Sequence, residues 1–166
     1  VNPSLRMAYA ANLHQPMTYH VEEAGYPGCD KLWLGGAFKV IPTEKQWGRL
    51  AAVNIDTGKM AWKFDTEQPL IGGVLATAGD LVFNGEGNGM FRAFDAKTGK
   101  SLWSFDPGVD KARGVKACCD VVNRGVAFWK GKLFVGTIDG RLIALDAKTG
   151  GEIWSVQTLD PKSNGT

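Results

Sequence analysis

The residues of this chain with the most distinctive chemistry are two adjacent cysteines, Cys118 and Cys119. The Cα atoms of an ordinary disulfide lie about 4.4–6.8 Å apart, whereas neighbouring Cα atoms across a trans peptide are about 3.8 Å apart. A bond between these two sulfurs would therefore distort the peptide and be easier to reduce than a structural disulfide. It would close almost no loop, so its use would be as a flat sulfur surface at a binding site. The residues alone leave a second interpretation open, in which both thiols are reduced and one faces the core.

Other residues that could do chemistry occur in patterns with structural explanations. Cys29 stands alone, which is typical of a structural or free thiol. His14 and His20 are not accompanied by carboxylates at metal-ligand spacing. The glycine-rich residues 85–89 would need a helix directly after them to bind phosphate, but residues 90–95 have the pattern of a strand, so we predict a hairpin turn. No catalytic base or metal ligand is identified, and Asp120 is not assigned either role.

Composition limits the fold and function classes. The chain has 166 residues, of which 44% are hydrophobic, and 19 basic against 17 acidic residues give a net charge of +2. That balance gives no electrostatic reason to expect a nucleic acid or an acidic membrane surface as partner. No apolar stretch reaches the roughly 18 residues of a spanning helix. The 22 glycines and abundant aromatic residues indicate an all-β chain with many turns. Because the sequence starts at Val1, we expect a mature product or an internal fragment.

An internal repeat defines the organisation. Residues 52–62, 93–103 and 144–154 share Ala at the first position, Thr-Gly at the sixth and seventh, and Trp at the eleventh. The second and third repeats also correspond outside this motif, where residues 74–76 and 82–85 match residues 125–127 and 133–136. The fold of a β-sandwich would not require Thr-Gly and Trp to recur at fixed positions in each repeat.

The third repeat predicts four antiparallel strands, over residues 126–129, 133–137, 141–145 and 152–156. Asp139-Gly140 is expected to form a hairpin turn with positive φ at both positions. Asp146 is expected to close the turn that ends at Gly150 by accepting backbone N–H groups. Trp154 is expected to be mostly buried, packing against a neighbouring sheet and donating its indole N–H to a carbonyl. Arg141 is expected to be a surface residue with little effect on ligand binding.

Four short strands per unit of about 40–50 residues are typical of β-propeller blades. We predict an irregular blade over residues 1–65, in which residues 5–11 form a strand, and further blades over residues 66–107 and 115–160. Residues 12–46 are expected to be a functional loop or an additional strand pair. Three blades cannot close a ring that needs about four to eight, so we expect an incomplete arc, a fragment, or an oligomer that completes the ring.

Residues 117–126, which read ACCDVVNRGV, closely resemble a stretch of the quinoprotein alcohol dehydrogenases. Residues 140–150 and the Trp repeats resemble the same family, whose fold is an eight-bladed propeller with Trp docking motifs. The resemblance implies oxidation of a primary alcohol with pyrroloquinoline quinone, a calcium or lanthanide ion, a cytochrome c-type electron acceptor and a periplasmic location. It also implies a vicinal disulfide of Cys118 and Cys119 against the quinone plane, Val122 lining the pocket, and Arg124 binding the acidic groups of the cofactor.

The chain departs from the family pattern in two ways. Residues 1–107 resemble C-terminal blades and residues from about 104 onward resemble N-terminal blades, so the order is inverted and the middle of the family's chain, with its catalytic Asp and metal ligands, is missing. Many relatives have an aromatic residue where this chain has Ile71. The alternative function is a non-enzymatic Trp-repeat propeller that serves as a scaffold or assembly protein, which would have no use for the Cys-Cys-Asp-x-x-Asn-Arg run.

Overall fold

The structure is a computed structural model that describes residues 1–23, 25–29, 31, 33–110 and 125–159. Regular structure in these residues is entirely β, as the sequence predicted, and no described helix has the length and apolar character needed to cross a membrane. The strands are β1 (Met7–His14), β2 (Met17–Val21), β3 (Gly36–Val40), β4 (Trp47–Asn54), β5 (Met60–Thr66), β6 (Val74–Ala76), β7 (Leu81–Gly85), β8 (Phe91–Asp95), β9 (Ser101–Phe105), β10 (Val126–Trp129), β11 (Lys132–Gly136), β12 (Arg141–Asp146) and β13 (Glu152–Gln157).

Eleven of these strands form three antiparallel sheets in chain order. The first sheet has the order β1-β4-β5, the second β6-β7-β8-β9, and the third β10-β11-β12-β13. The strands predicted in the third repeat are those observed, to within a residue or two at their ends. Three successive sheets of this kind are the arrangement of neighbouring propeller blades, and they do not close into a ring.

The insertion in the first repeat contains a strand pair. Strands β2 and β3 form a separate two-stranded sheet, with Tyr19 opposite Phe38. The strand expected at residues 5–11 is β1, which runs from Met7 to His14 and pairs with β4. The first sheet therefore has three strands, and the insertion lies between two of them in the chain.

The repeated Asp closes the turn that joins the last two strands of the second and third sheets. Asp146 Oδ1 accepts the backbone N–H groups of Lys148 at 3.0 Å and Thr149 at 2.9 Å. Asp95 accepts the equivalent groups in the second sheet, at 3.1 and 2.7 Å. Gly150 has the expected positive φ, 73°. These observations confirm the prediction for this turn.

The turn at Asp139-Gly140 differs from the prediction. Gly140 has a φ of 83°, but Asp139 does not have a positive φ. The Gly140 N–H donates to the Thr137 carbonyl at 3.0 Å, and the Thr137 N–H donates to the Arg141 carbonyl at 2.9 Å. This pattern belongs to a longer hairpin loop in which a tight turn is followed by one left-handed glycine, so only one residue needs positive φ.

The sheets pack face to face and form two hydrophobic clusters. The cluster between the first and second sheets contains Leu50, Ala52, Trp62, Leu70, Val82, Phe94 and Ala96. The cluster between the second and third sheets contains Phe83, Phe91, Ala93, Leu133, Val135, Ile143, Leu145 and Ala147. Each interface buries residues that alternate along its strands, which is the period-2 pattern expected of sheets covered on that face.

Each of these interfaces includes a repeat tryptophan. Trp62 Nε1 donates to the Ala96 carbonyl at 2.9 Å, and Trp103 Nε1 donates to the Ala147 carbonyl at 3.1 Å. The prediction that Trp154 is mostly buried is wrong, because its side chain is 39% exposed. Trp154 packs against Phe134 of its own sheet, with ring centroids 5.9 Å apart. No described sheet covers the face on which Trp154 lies. Trp154 therefore lacks the burial and the hydrogen bond to a carbonyl that Trp62 and Trp103 have.

Candidate functional site

A cavity of about 500 Å³ lies at one end of the second and third sheets. It is formed by the segment before β6, the β7–β8 turn, the end of β9 with the residues after it, and the β11–β12 turn. Its lining residues are Gln68, Pro69, Ile71, Gly72, Gly85, Glu86, Gly87, Asn88, Gly89, Met90, Phe91, Phe105, Pro107, Val109, Asp110, Val135, Gly136, Thr137 and Ile138. A volume of about 300–1,000 Å³ is usual for small-molecule and cofactor sites.

The glycine-rich residues 85–89 form one wall of this cavity and are a hairpin turn, as predicted. Asn88 Oδ1 accepts the Met90 N–H at 2.9 Å, and Asn88 Nδ2 donates to Glu86 at 3.1 Å. Glu86 also forms an ion pair with Arg92 on β8. The turn is therefore held by its own side chains, and its glycines leave backbone at the cavity surface.

The β11–β12 turn forms another part of the wall. Thr137 Oγ1 and Arg141 Nε donate to Asp139, the latter at 2.8 Å. Burial alone would raise the pKa of Asp139, but the hydrogen bonds from Arg141 and Thr137 outweigh it and hold the pKa below its usual value. The Arg141 guanidinium also donates to the Pro107 carbonyl at 2.7 Å. Arg141 therefore ties the third sheet to the segment that leaves β9, and its expected small effect on quinone binding stays a prediction.

The segment after β9 connects this cavity to the cysteine pair. Val109 and Asp110 line the cavity, and Asp110 is the last described residue before the 14 residues that contain the Cys-Cys run. The predicted site residues Cys118, Cys119, Val122 and Arg124, together with Asp120, lie outside the described residues. Their roles stay predictions, but the chain enters their segment from the cavity wall.

The histidines and the third cysteine are not among the residues that line this cavity. His14 stacks on Trp47 with ring centroids 5.0 Å apart, and His20 Nε2 lies 3.4 Å from Glu22. Cys29 is a free, exposed cysteine 3.9 Å from the Tyr26 hydroxyl. In the part of the chain that the structure describes, no three His, Cys, Asp or Glu side chains are grouped as metal ligands.

The family resemblance singled out Ile71 only as a departure from the family pattern, and sequence reasoning missed the lining residues that are distant from Ile71 in the chain. Phe91, Phe105 and Thr137 line the same cavity as Ile71. The signal was present, because Gly85 and Gly136 are equivalent positions of the repeat and both come at the end of a strand. The sequence did not show that the two turns contribute to one cavity.

The family profile described as "PQQ: Glucose/ethanol/alcohol dehydrogenase, beta-propeller domain" matches residues 7–107 and again residues 93–156. The chain belongs to this family. The two matches overlap at the second Trp motif and together extend over all three sheets.

Relatives within the family are much longer than this chain. The quinohemoprotein alcohol dehydrogenase of Comamonas testosteroni is 42% identical over 123 residues, which are 70% of this chain and 17% of that protein. Among solved structures, a europium-containing methanol dehydrogenase is 34% identical, covers 64% of this chain and 19% of its own, and has a TM-score of 0.55. The chain thus spans less than a fifth of the length of these family members.

A solved structure outside these enzymes has the same fold. BamB from Moraxella catarrhalis covers 91% of this chain and 40% of its own with a TM-score of 0.55, at 19% identity. At that identity the likeness shows the propeller-type fold alone. It carries no information about what this chain binds.

Proposed function

We propose that this chain is part of a quinone-dependent alcohol dehydrogenase and supplies part of the wall that binds pyrroloquinoline quinone. The observation that carries the proposal is the cavity at the ends of the second and third sheets, from whose wall the chain continues into the Cys-Cys run. The family match and the 42% identity to a quinohemoprotein alcohol dehydrogenase support the same function.

The described lining fits the flat part of such a cofactor. Ile71, Phe91, Phe105 and Val135 provide apolar surface for a planar ring, and Thr137 provides a hydroxyl. The ionisable residues of the described lining are Glu86 and Asp110. Both carry carboxylates, whose negative charge disfavours the three carboxylates of this quinone.

Positive charge to match the carboxylates of the quinone is available in the sequence that follows Asp110. Residues 111–124 contain four basic residues and one acidic residue. Among the basic residues, Arg124 offers a planar fork of donors, which matches a carboxylate better than a lysine ammonium does. We therefore assign Arg124 to the acidic groups of the quinone, Cys118 and Cys119 as a vicinal disulfide against its ring, and Val122 to the pocket wall.

Within the whole enzyme, the bound quinone would accept a hydride equivalent from a primary alcohol, with a calcium or lanthanide ion as Lewis acid. The described residues of this chain would orient the cofactor and shield it from water, and they provide no identified base. A cytochrome c-type electron acceptor and a periplasmic location belong to the same proposal. An oxidising compartment suits a vicinal disulfide.

The alternative function, a non-enzymatic propeller scaffold, has weaker support. The likeness to BamB extends over most of the chain but is limited to the fold. The identity to alcohol dehydrogenases is more than twice as high. We therefore favour the enzyme over the scaffold.

The proposal is tested by titrating the purified chain with pyrroloquinoline quinone and following absorbance or Trp fluorescence. A charge-assisted hydrogen bond contributes roughly 1.5–3 kcal/mol, so Arg124→Ala should weaken quinone binding about 10- to 150-fold. Arg124→Lys should restore only part of the affinity because the fork is lost. Arg6→Ala is the matched control, since Arg6 pairs with exposed Asp56 on the first sheet. Unchanged affinity in Arg124→Ala would remove this residue from the site, and no binding by the unmodified chain would overturn the proposed function.

A further inference from the structure

A second, smaller cavity lies beside the cavity described above. It has a volume of about 260 Å³ and is lined by Gln15, Gln46 and Glu67, and by Gln68, Pro69, Ile71 and Gly87, which also line the larger cavity. We call it the glutamine cavity, because three of the four glutamines of the chain line it. A molecule bound there would touch residues that also form the wall of the larger cavity.

Strand pairing in the first sheet brings the polar lining residues together. Gln15 directly follows β1, Gln46 directly precedes β4, and Glu67 directly follows β5. Strands β1 and β5 both pair antiparallel with β4, so the ends of β1 and β5 lie beside the beginning of β4. The cavity is therefore built at one end of the first sheet, from three connections that are far apart in the chain.

The segment after β5 is held in place by close backbone contacts. Thr66 Oγ1 donates to the Gln68 carbonyl at 2.7 Å. A Cβ on Gly48 would lie 2.6 Å from the same carbonyl oxygen, so this segment packs directly on β4. A Cβ on Gly87 would lie 3.1 Å from Gln68 Oε1, so the Gln68 side chain rests against the β7–β8 turn. Gln68 thus joins the end of the first sheet to the wall of the larger cavity.

The glutamine amides of this cavity have hydrogen-bonding capacity that the protein does not use. Within the described residues, the side-chain amides of Gln15, Gln46 and Gln68 form no hydrogen bond to another protein group. The fourth glutamine of the chain, Gln157, differs because its amide donates to the Asp139 carbonyl at 2.9 Å. Each amide has two N–H donors and a carbonyl acceptor. The three lining amides therefore offer both donors and acceptors to a ligand.

This lining favours a small, neutral molecule with several hydroxyl groups. A hydroxyl both donates and accepts a hydrogen bond, as does an amide. Glu67 is the one ionisable residue of the described lining, and its carboxylate accepts from a hydroxyl but repels an anion. Pro69 and Ile71 provide apolar contact for a carbon skeleton. A volume slightly below the usual 300–1,000 Å³ of ligand sites suits a short molecule.

We propose that the glutamine cavity binds the hydroxyl groups of a polyol substrate whose terminal primary alcohol is directed towards the larger cavity. The inference rests on the proposed function, because it takes the larger cavity as part of the quinone site. Pro69 and Ile71 line both cavities, so a polyol held by the amides has its carbon skeleton against the wall of the quinone site. The enzyme of which this chain is part would then prefer polyols to simple aliphatic alcohols.

Saturation-transfer difference NMR of the 166-residue chain with erythritol and 1-butanol tests this proposal. The two probes have the same number of carbon atoms and differ in their hydroxyl groups. A neutral hydrogen bond changes an affinity by about 2- to 10-fold, so two or more of them should make erythritol bind about 5-fold or more tightly than 1-butanol. Equal affinities for the two probes would overturn the proposal.

Variants of the glutamines locate the binding. Gln15→Leu and Gln46→Leu keep much of the side-chain volume and remove the amide, so each should weaken erythritol binding about 2- to 10-fold and leave 1-butanol binding unchanged. Gln157→Leu is the matched control because Gln157 lines neither cavity, and it should bind erythritol as the unmodified chain does. Circular dichroism checks that each variant is folded. Unchanged erythritol affinity in both Gln15→Leu and Gln46→Leu would overturn the assignment to this cavity.

Quinone titrations of the same variants separate this inference from the proposed function. Gln15 and Gln46 do not line the larger cavity, so their variants should bind pyrroloquinoline quinone as the unmodified chain does. Quinone binding without a preference for erythritol would overturn this inference and leave the proposed function intact. Erythritol binding without quinone binding would overturn the proposed function and, with it, the assignment of the polyol as substrate.

Discussion

Tryptophan is the residue that best reports the packing of this chain, because the repeat places it in three environments. Trp62 is 9% exposed and hydrogen-bonded between two sheets, whereas Trp154 is 39% exposed on an open face. Truncation of a large buried side chain costs about 3–5 kcal/mol, and surface substitutions usually change stability by about 0.5 kcal/mol or less.

We therefore predict that Trp62→Ala lowers the free energy of unfolding by about 3–5 kcal/mol. Trp154→Ala should cost about 1 kcal/mol or less. Trp47→Ala should also cost much less than Trp62→Ala, since Trp47 lies outside the repeat motif and stacks on His14 at the start of β4. Urea unfolding followed by circular dichroism measures all three. Similar losses at Trp62 and Trp154 would contradict the packing described above.

The turn aspartates make stability depend on pH at the acid end. Hydrogen bonds from the Thr98 hydroxyl and backbone N–H, opposed by slight burial, hold the pKa of Asp95 below its usual value. Because the folded pKa lies below the unfolded one, the native state binds fewer protons, and this group stabilises the fold fully above about pH 4. That contribution is lost as the pH falls through the lowered folded pKa.

Asp95→Asn should therefore destabilise the chain at pH 6, and the difference from the unmodified chain should shrink as the pH falls from 5 to 3. Urea midpoints measured across this range test the prediction. Glu44→Gln removes an exposed carboxylate from outside the repeat turns and serves as the control for loss of charge. A difference that stays constant down to pH 3 would show that Asp95 acts through its shape alone.

At the scale of elements, the repeated glycine is a packing residue as well as a turn residue. Gly99 and Gly58 have similar φ values, 73° and 66°, so a side chain meets similar backbone strain at both. They differ in their surroundings, because a Cβ on Gly99 would lie 2.6 Å from the Trp62 ring while a Cβ on Gly58 meets open space.

We predict that Gly58→Ala costs roughly 1–2 kcal/mol, the penalty for a left-handed non-glycine residue. Gly99→Ala should cost roughly 1–3 kcal/mol more, because the Trp62 ring must move away from the new Cβ. Thermal or urea unfolding of the two variants under dilute conditions measures the difference. Equal costs would mean that Trp62 does not rest on this glycine in solution.

Much of the fold is predictable from sequence where local signals agree. The strands of the third sheet follow from alternating apolar residues between turns that contain Gly or Asp. The predicted correspondence between β6 and β10 is off by one residue. Leu75 in β6 pairs with Phe83, and their predicted counterparts are Val126 and Phe134. In the structure Phe134 pairs with Ala127, one position beyond Val126. The cause is the length of the connection, since four residues separate β6 from β7 and two separate β10 from β11.

The environment of Trp154 was not predictable, because a repeat specifies the side chain and not whether a neighbouring sheet covers it.

At the scale of the whole molecule, the cavity depends on the face-to-face packing of neighbouring sheets. Its walls come from the second and third sheets and from the segments that flank them, and the Arg141–Pro107 hydrogen bond joins the two. The predicted order of the blades, C-terminal-like before N-terminal-like, stays a prediction. In a closed propeller the first and last blades are neighbours, so such an order would bring together walls that the longer relatives assemble from opposite ends of their chains.

The isolated chain should therefore bind quinone without oxidising alcohols. Binding requires a wall, which we have proposed that the cavity and the segment after Asp110 supply, whereas turnover also requires a base and a metal site, and the described residues contain no grouped metal ligands. With pyrroloquinoline quinone and Ca²⁺ added, a dye-linked assay with ethanol or 1-butanol should give no rate above that of quinone and Ca²⁺ alone, while the titration still shows binding. The full-length Comamonas relative, assayed in parallel, is the positive control. Turnover by the chain alone that persists in repeated purifications would show that a base and a metal site lie among residues 111–124 or elsewhere outside the described part.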